Sequence, residues 1–276
     1  MDIEILEMAE RKGSFILKDS TPAMANALRR TMLSDIPKMA IDKVEFHLGP
    51  IMVDGKEYES VTPLFDEIIA HRLGMVPVPT DYELFSPQSE CVCEGEGCPN
   101  CTIMYSLNKI GPCTVLSGDM IPLGNSDLKV KDEDIPIVEL TDGQAVLIYA
   151  TAVIGRSRDH VKWQAAFGVG YKYLPKVGID PDAADDPELL EVIDVCPRKV
   201  FEDKDGRLTV VNANACSLCR ACERISRGAV TVEGDDRNFL FTYDTDGSLT
   251  ARQVLDVAAG IIAEEAGGLA EQIEAL

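Results

Sequence analysis

The sequence predicts an α+β protein, and three observations carry that prediction. Short stretches of alternating apolar and polar residues, cut by Asp-Gly and other turn signals, fill much of the chain. Two longer stretches, one towards each end, repeat their apolar residues at helical spacing. Most of the nine cysteines fall into two tight groups, which in an acidic chain without a signal sequence points to metal or redox chemistry rather than disulfides.

The totals bound the answer. A chain of 276 residues can hold two or three domains and a sizeable core. With 46% hydrophobic and 26% charged residues it reads as globular. No run of 18 apolar residues exists, so no membrane span is expected. The first ten residues are acidic and lack the apolar core of a secretory signal, so a cytoplasmic location is expected. The net charge is −21. Proteins that grip phosphate backbones show a basic footprint, so direct nucleic-acid binding is not expected, and a basic partner fits.

The elements follow in order. Ile3 and Ile5 alternate with polar residues, as do Phe15 and Leu17 after Lys12-Gly13, giving strand, turn and strand. Thr21 suits an N-cap and Pro22 the first helical position. Met24, Ala27, Leu28, Thr31 and Met32 then share one face of a helix that Pro37 ends. Arg29 and Arg30 beside Asn26 form a basic edge, which periodicity alone reads as a solvated surface. Ile41, Val44 and Phe46 read as a short strand. Asp54-Gly55 signals a hairpin. Thr62-Pro63 opens a second helix with Phe65, Ile68, Ile69 and Leu73 on one face and Gly74 as its stop. His71 on it reads as a partly buried packing histidine.

Residues 102–107 read as a strand, 117–119 and 123–125 as loops, 131–134 as solvated loop, and 145–154 as a buried strand. Arg156, Arg158, His160 and Lys162 make a basic patch beside Trp163, the sole tryptophan. An exposed hairpin, a partner contact and a nucleic-acid contact all suit it. From 175 to about 234 proline and aspartate punctuate the chain, and residues 239–243 then read as a strand. Thr250 and Gln253 form a capping box. Val254, Leu255, Ala258, Ile261, Ile262, Leu269, Ile273 and Leu276 follow as one stripe, interrupted only by Gly267-Gly268.

The sharper cysteine group is Cys216-x2-Cys219-x2-Cys222 with Cys196-Pro197 upstream. Short C-x2-C steps let one loop wrap three corners of a cubic iron–sulfur cluster, and a distant Cys-Pro supplies the fourth thiolate. Bacterial-type ferredoxins use this arrangement twice. Here one half is present: Ser226-Arg227 stands where a second Cys-Pro would begin, and Asp186, Leu189 and Val192 where a second triplet would fall. We read one [4Fe-4S] cluster in a ferredoxin-like segment, with a three-iron form open if a ligand is displaced. A helix over 188–195, a hairpin over 199–211, a helix from 221 and a strand over 229–233 surround it. A cysteine-rich zinc site or bare thiols are the alternatives. The other group is Cys91-x-Cys93-x4-Cys98-x2-Cys101. Four thiolates suit one tetrahedral Zn2+, and local disulfides or an inert loop are the alternatives. Cys113 reads as a small buried hydrophobe.

Specific words add a resemblance. Asn26-Ala27-Leu28-Arg29-Arg30, with Leu33-Ser34-Asp35-Ile36-Pro37 and Ala40-Ile41, resembles the assembly helix of the alpha-like subunits of cellular RNA polymerases, and the archaeal D-type branch most closely. The stretch from Asp66 to Pro77 resembles the inserted domain of that family. Asp159-His160-Val161-Lys162-Trp163-Gln164, with Tyr171-Lys172-Tyr173, resembles the words that close it. The likeness covers residues 1–82, about 145–175 and 238–276.

It implies a non-catalytic scaffold: an alpha-like dimerisation domain (1–45 plus 236–276), an inserted mostly-β domain (46–174, with the cysteine loop 91–101) and an inserted ferredoxin-like iron–sulfur domain (175–235). It implies a heterodimer with subunit L, contacts to subunits N and P, and docking on the large subunits, which would hold the catalytic aspartates and magnesium. The first and last helices would meet at the interface with that partner, with Asn26, Leu28, Arg29, Arg30, Leu255 and Ile262 as interface residues. The chain has no Walker loop and no nucleophile elbow. The rival reading is a ferredoxin-type electron carrier, which leaves both long helices without a role.

Overall fold

The first strands start where the alternation starts. In the computed structural model, which describes residues 1–275, β1 (Asp2–Met8) and β2 (Lys12–Lys18) pair antiparallel. Thr21 caps α1 (Pro22–Ser34), its hydroxyl accepting the Met24 N–H at 3.2 Å. β3 (Pro37–Phe46) follows at once, so Pro37 both ends the helix and opens a ten-residue strand. Asp54 (φ 50°) and Gly55 (φ 77°) both take the left-handed conformation that a two-residue hairpin turn requires, joining β4 (Pro50–Val53) to β5 (Lys56–Glu59). Then come α2 (Asp66–Met75), β6 (Thr102–Ile110), β7 (Cys113–Leu116), β8 (Ile121–Pro122), β9 (Pro136–Leu140) and β10 (Ala145–Arg156). The rest is β11 (Ala166–Ile179), α3 (Glu191–Val195), β12 (Phe201–Lys204), β13 (Arg207–Val210), α4 (Ala221–Ile225), β14 (Val230–Thr245) and α5 (Ala251–Glu274).

The chain divides into two compact units. One comprises residues 1–8, 13–29 and 170–242. Its sheet has the order β1-β2-β14-β11. Aromatic rings lie side by side across three of those strands: Phe15 stacks on Phe241 at 4.8 Å, and Tyr171 lies 5.2 Å from Phe241. Such cross-strand pairs fix register as well as burying area. β1 carries Ile3, Ile5 and Leu6 exposed on an edge. The cysteine-bearing segment has its own small core, built on Leu189, Val192, Val200, Phe201, Leu208, Val230 and Val232.

The other unit comprises residues 9–12, 30–169 and 243–276. Its main sheet runs β3-β10-β6-β8, with β10 antiparallel to both β3 and β6. Ile41, Ile69, Leu73, Tyr105, Leu107, Val146 and Ile148 form its core. Lys38 on β3 is buried at 3% exposure. Its ammonium donates to the carbonyls of Lys162 (3.1 Å) and Gln164 (3.4 Å) and pairs with the Asp246 carboxylate. Asp246 in turn accepts the Ser248 N–H at 3.0 Å, just before the capping box that starts α5.

Several expectations shift. The buried face of α1 is Ala25, Leu28, Thr31 and Met32, with Ala27 exposed and Met24 half-buried. On α2 only Ile69 and Leu73 of the apolar face go inside, while Phe65 is 80% exposed. Gly267-Gly268 does not interrupt α5, whose 24 residues are one helix. The expected helix over 188–195 is a 3-10 turn (Pro187–Leu190) followed by the five residues of α3. The strands expected at 229–233 and 239–243 are one strand, β14. The polar stretch between them stays extended because Asp235 satisfies it locally. Its carboxylate accepts from Lys176 Nζ (2.9 Å), the Arg237 N–H (2.9 Å) and Asn238 Nδ2 (2.8 Å). Leu276, counted in the apolar stripe, lies outside the described residues.

This framework makes two measurable claims. Lys38→Ala leaves the half-buried Asp246 carboxylate without its cation and costs about 1–3 kcal/mol, whereas replacing both partners with Met and Leu recovers most of it; chemical unfolding measures both. The Lys176 ammonium, more than the two N–H donors, lowers Asp235 from its ordinary 3.8 to about 2. Its stabilisation is therefore present above pH 4 and lost as the pH falls towards 2. The stability gap between the wild type and Asp235→Asn should close over that window and stay constant from pH 5 to 7.

Candidate metal centres and docking helix

The loop 91–101 is a string of tight turns. The Glu94 N–H bonds the Cys91 carbonyl, the Glu96 N–H that of Cys93, and the Cys101 N–H that of Cys98. Glu94 (φ 53°), Gly95 and Gly97 (both φ 89°) take left-handed conformations that fold the loop back on itself. All four sulfurs come within 4.8 Å of one another. Cys91 and Cys98 stand 3.4 Å apart, Cys93 and Cys101 3.6 Å, Cys98 and Cys101 3.9 Å. A disulfide needs about 2.05 Å. A tetrahedral metal with bonds of about 2.3 Å spaces its sulfurs about 3.8 Å apart. The geometry is that of a metal site, and all four thiols are free. The Cys98 N–H also donates to the Cys101 sulfur at 3.3 Å. Burial pushes the Cys101 thiol up to about 12, while the Cys93 N–H helps bring Cys91 down to about 6. The four thiols therefore do not ionise alike.

The second group surrounds one hollow, lined by Cys196, Cys216, Cys219 and Cys222 together with Pro197 and Phe201. Cys216 and Cys222 are each 7% exposed, Cys196 is half-buried and Cys219 is exposed. Leu218 (φ 59°) and Arg220 (φ 57°) flank Cys219 in the left-handed region, at a cost of about 1–2 kcal/mol each for non-glycine residues. That curl turns N–H groups towards the sulfurs: the Leu218 N–H lies 3.4 Å from the Cys216 sulfur. A hydrogen bond from the Ala221 N–H holds the Cys219 thiol low, and burial raises Cys222. Among the described residues, the 91–101 set is the one whose sulfurs gather as tightly as a single metal needs. The second set lines its hollow without gathering so tightly. Four thiolates on one hollow, with inward N–H groups, fit a multi-iron cluster.

Two basic side chains to which the sequence assigned no role here stand beside this hollow. Lys172 Nζ on β11 donates to the carbonyls of Asn214 and Cys216, at 2.6 Å each. Arg198 Nε donates to the Ala215 carbonyl at 3.3 Å. No local pattern marks Lys172; its partners lie more than 40 residues away.

The predicted interface residues divide. Leu28 and Leu255 are each 5% exposed, within the chain's own body. Asn26 and Arg29 are half-buried and hydrogen-bonded to each other, at 3.2 and 3.3 Å, while Arg30 is exposed. Ile262 is half-buried. Along α5 one apolar stripe passes from buried (Val254, Leu255, Ala258) through half-buried (Ile261, Ile262) to open: Leu269 is 59% exposed and Ile273 61%. Sequence periodicity shows the stripe but not this gradient.

The basic patch is largely neutralised. Arg158 pairs with Asp35 at 2.8 Å and Lys162 with Asp42 at 2.5 Å. Lys162 also lies 4.3 Å over the Trp163 ring, which rests on Gly155 so closely that a Cβ there would stand 2.4 Å from the indole. His71 is exposed rather than packed, and with His160 it lines an open hollow. Cys113 is half-buried, its thiol donating to the Ile110 carbonyl. No helix among the described residues is long and apolar enough to cross a membrane.

Comparison with known proteins gives this arrangement a family. Residues 14–266 match the family model described as the RNA polymerase Rpb3/Rpb11 dimerisation domain. DNA-directed RNA polymerase subunit Rpo3 of Picrophilus torridus is 40% identical, over 98% of this chain and 99% of its own length. Rpo3 of Thermoplasma volcanium is 39% identical and that of Archaeoglobus fulgidus 37%, each over 99% of both chains. The match spans both terminal helices and both cysteine groups, and the chain belongs to the Rpb3/Rpb11 dimerisation-domain family as a homologue of the archaeal polymerase subunit Rpo3.

Proposed function

We propose that this chain is the non-catalytic assembly subunit of an archaeal DNA-directed RNA polymerase, of the D type. It pairs with a small subunit of the same family, subunit L, and the pair carries the large subunits, with subunits N and P alongside. Nucleotidyl transfer belongs to other chains of that complex. The observation that carries this reading is the gradient on α5. A stripe that starts as core and ends with Leu269 and Ile273 open to water is a helix half covered by its own chain. Burying an aliphatic side chain is worth about 1.5–3 kcal/mol, so the open half is a strong driving force for a partner helix. Arg30 and the Asn26–Arg29 pair on α1 are further polar candidates for contact with that partner.

The two cysteine sites hold different metals in this reading. One Zn2+ sits on Cys91, Cys93, Cys98 and Cys101. One [4Fe-4S] cluster sits on Cys196, Cys216, Cys219 and Cys222, in a ferredoxin-like segment where it acts as a structural brace. Its spacing in the sequence and its hollow in the fold support the assignment, and metal–thiolate bonding stabilises a small segment with a limited core.

Leu269→Asp with Ile273→Asp should leave the monomer folded, since both residues are exposed. It should weaken pairing with subunit L by at least about 100-fold, as two lost anchors of about 1.5 kcal/mol each imply. Titration calorimetry reads this directly, and unchanged affinity would end the docking proposal. Metal analysis of two further variants separates the sites. Cys101→Ser should remove zinc and leave iron. Cys216→Ser should lower iron and loosen residues 175–234 to proteolysis, yet keep heterodimer yield near the wild type. A heterodimer lost along with the iron would make the cluster part of pairing and contradict this division.

A further inference from the structure

The three carbonyls that lead into the C-x2-C-x2-C loop, those of Asn214, Ala215 and Cys216, are each taken by a cationic side chain. Lys172 holds the outer two at 2.6 Å and Arg198 the middle one at 3.3 Å. Lys172 is half-buried, and it stands on β11, a strand of the four-stranded sheet rather than of the cysteine segment itself. Arg198 is exposed and makes a longer contact. The backbone just beyond is energetically unfavourable on its own, with Leu218 and Arg220 both left-handed. A loop in that conformation keeps its shape only if its base is fixed.

We propose that Lys172 is a positioning residue for the thiolate-held cluster. It anchors the Asn214–Cys216 backbone to the sheet, so that Cys216 and Cys219 face the hollow, and it sets a fixed positive charge beside a centre made anionic by four thiolates. This rests on the cluster assignment above and adds a residue that ligates nothing. The charge makes the role more than mechanical. An anionic centre gains further negative charge on reduction, so a nearby ammonium favours its reduced form. A neutral side chain of similar length would keep part of the packing and lose that effect.

The test uses the full chain as its complex with subunit L, purified without oxygen. Iron release to a chelator and the cluster's midpoint potential are measured for the wild type, Lys172→Met, Lys172→Arg and Arg198→Gln. Loss of an outer residue that orients ligands commonly costs about 10- to 100-fold in metal retention. Lys172→Met should therefore release iron at least about tenfold faster and show a lower potential. Lys172→Arg should restore both, and Arg198→Gln should change both less. Release and potential equal to the wild type in Lys172→Met would overturn the proposal, as would faster release with an unmoved potential. A wild type that holds no iron would instead overturn the cluster assignment. Pairing with subunit L serves as the check that each variant is folded.

Discussion

One buried ion pair fixes what the rest of its unit is built around. Lys38 sits on β3, in a sheet whose other residues at that depth are apolar, and every proton on its ammonium has an acceptor. Two acceptors belong to the turn at 162–164 and the third to Asp246, at the corner before α5. Three segments far apart in sequence are thereby tied to one nitrogen. Moving the corner by a hydrogen-bond length would strand a charge away from water, which is far costlier than a shifted methyl group. Buried apolar residues hold α5 down; the ion pair ties the corner that precedes it to β3 and the 162–164 turn.

That corner matters because α5 is only half used by its own chain. Val254, Leu255 and Ala258 close the core, and the same stripe then continues into water. The capping box of Thr250 and Gln253, with the Gln253 N–H 3.3 Å from the Thr250 hydroxyl, gives the helix a fixed start. A partner on this stripe would meet a helix whose start is already capped and whose first turns are buried, which lowers the ordering cost of association. The acidic balance of the chain acts in the same sense as a scaffold role, since it disfavours contact with nucleic acid and favours basic protein surfaces.

What the sequence reveals and what it hides separate along physical lines. Caps, hairpin turns and apolar stripes are local, so Thr21, Asp54-Gly55 and the face of α5 were legible. Ligand spacing in the cysteine groups is local too, and the loop 91–101 closes as its pattern implies. The misplaced details are those that tertiary context decides. Ala27 lies on the open side of α1, and Phe65 stands just before α2 rather than on its buried face. β14 reads as two strands in the sequence because the stretch between its apolar ends is polar, yet Asp235 bonds to Arg237, Asn238 and Lys176 and lets the strand continue. Lys38 with Asp246, and Lys172 with the 214–216 carbonyls, could not be seen at all. A lysine on a strand carries no sign of a partner found only after folding.

On the proposed reading, the metal of the cysteine segment is a brace rather than a reagent, and the segment's make-up supports that. Its core has few large side chains, and two of its buried members are Cys216 and Cys222 themselves. Its helices α3 and α4 have five residues each, too short to be stable alone. Its ligand loop contains two left-handed non-glycine residues. Thiolate bonds to one centre would link α3, the 216–222 loop and α4 at a single point. The same atoms then serve as core and as cross-link, and losing the metal would remove both at once. The first cysteine loop differs in kind. It belongs to a unit with a full apolar core, so a metal there would shape a loop rather than hold a fold together.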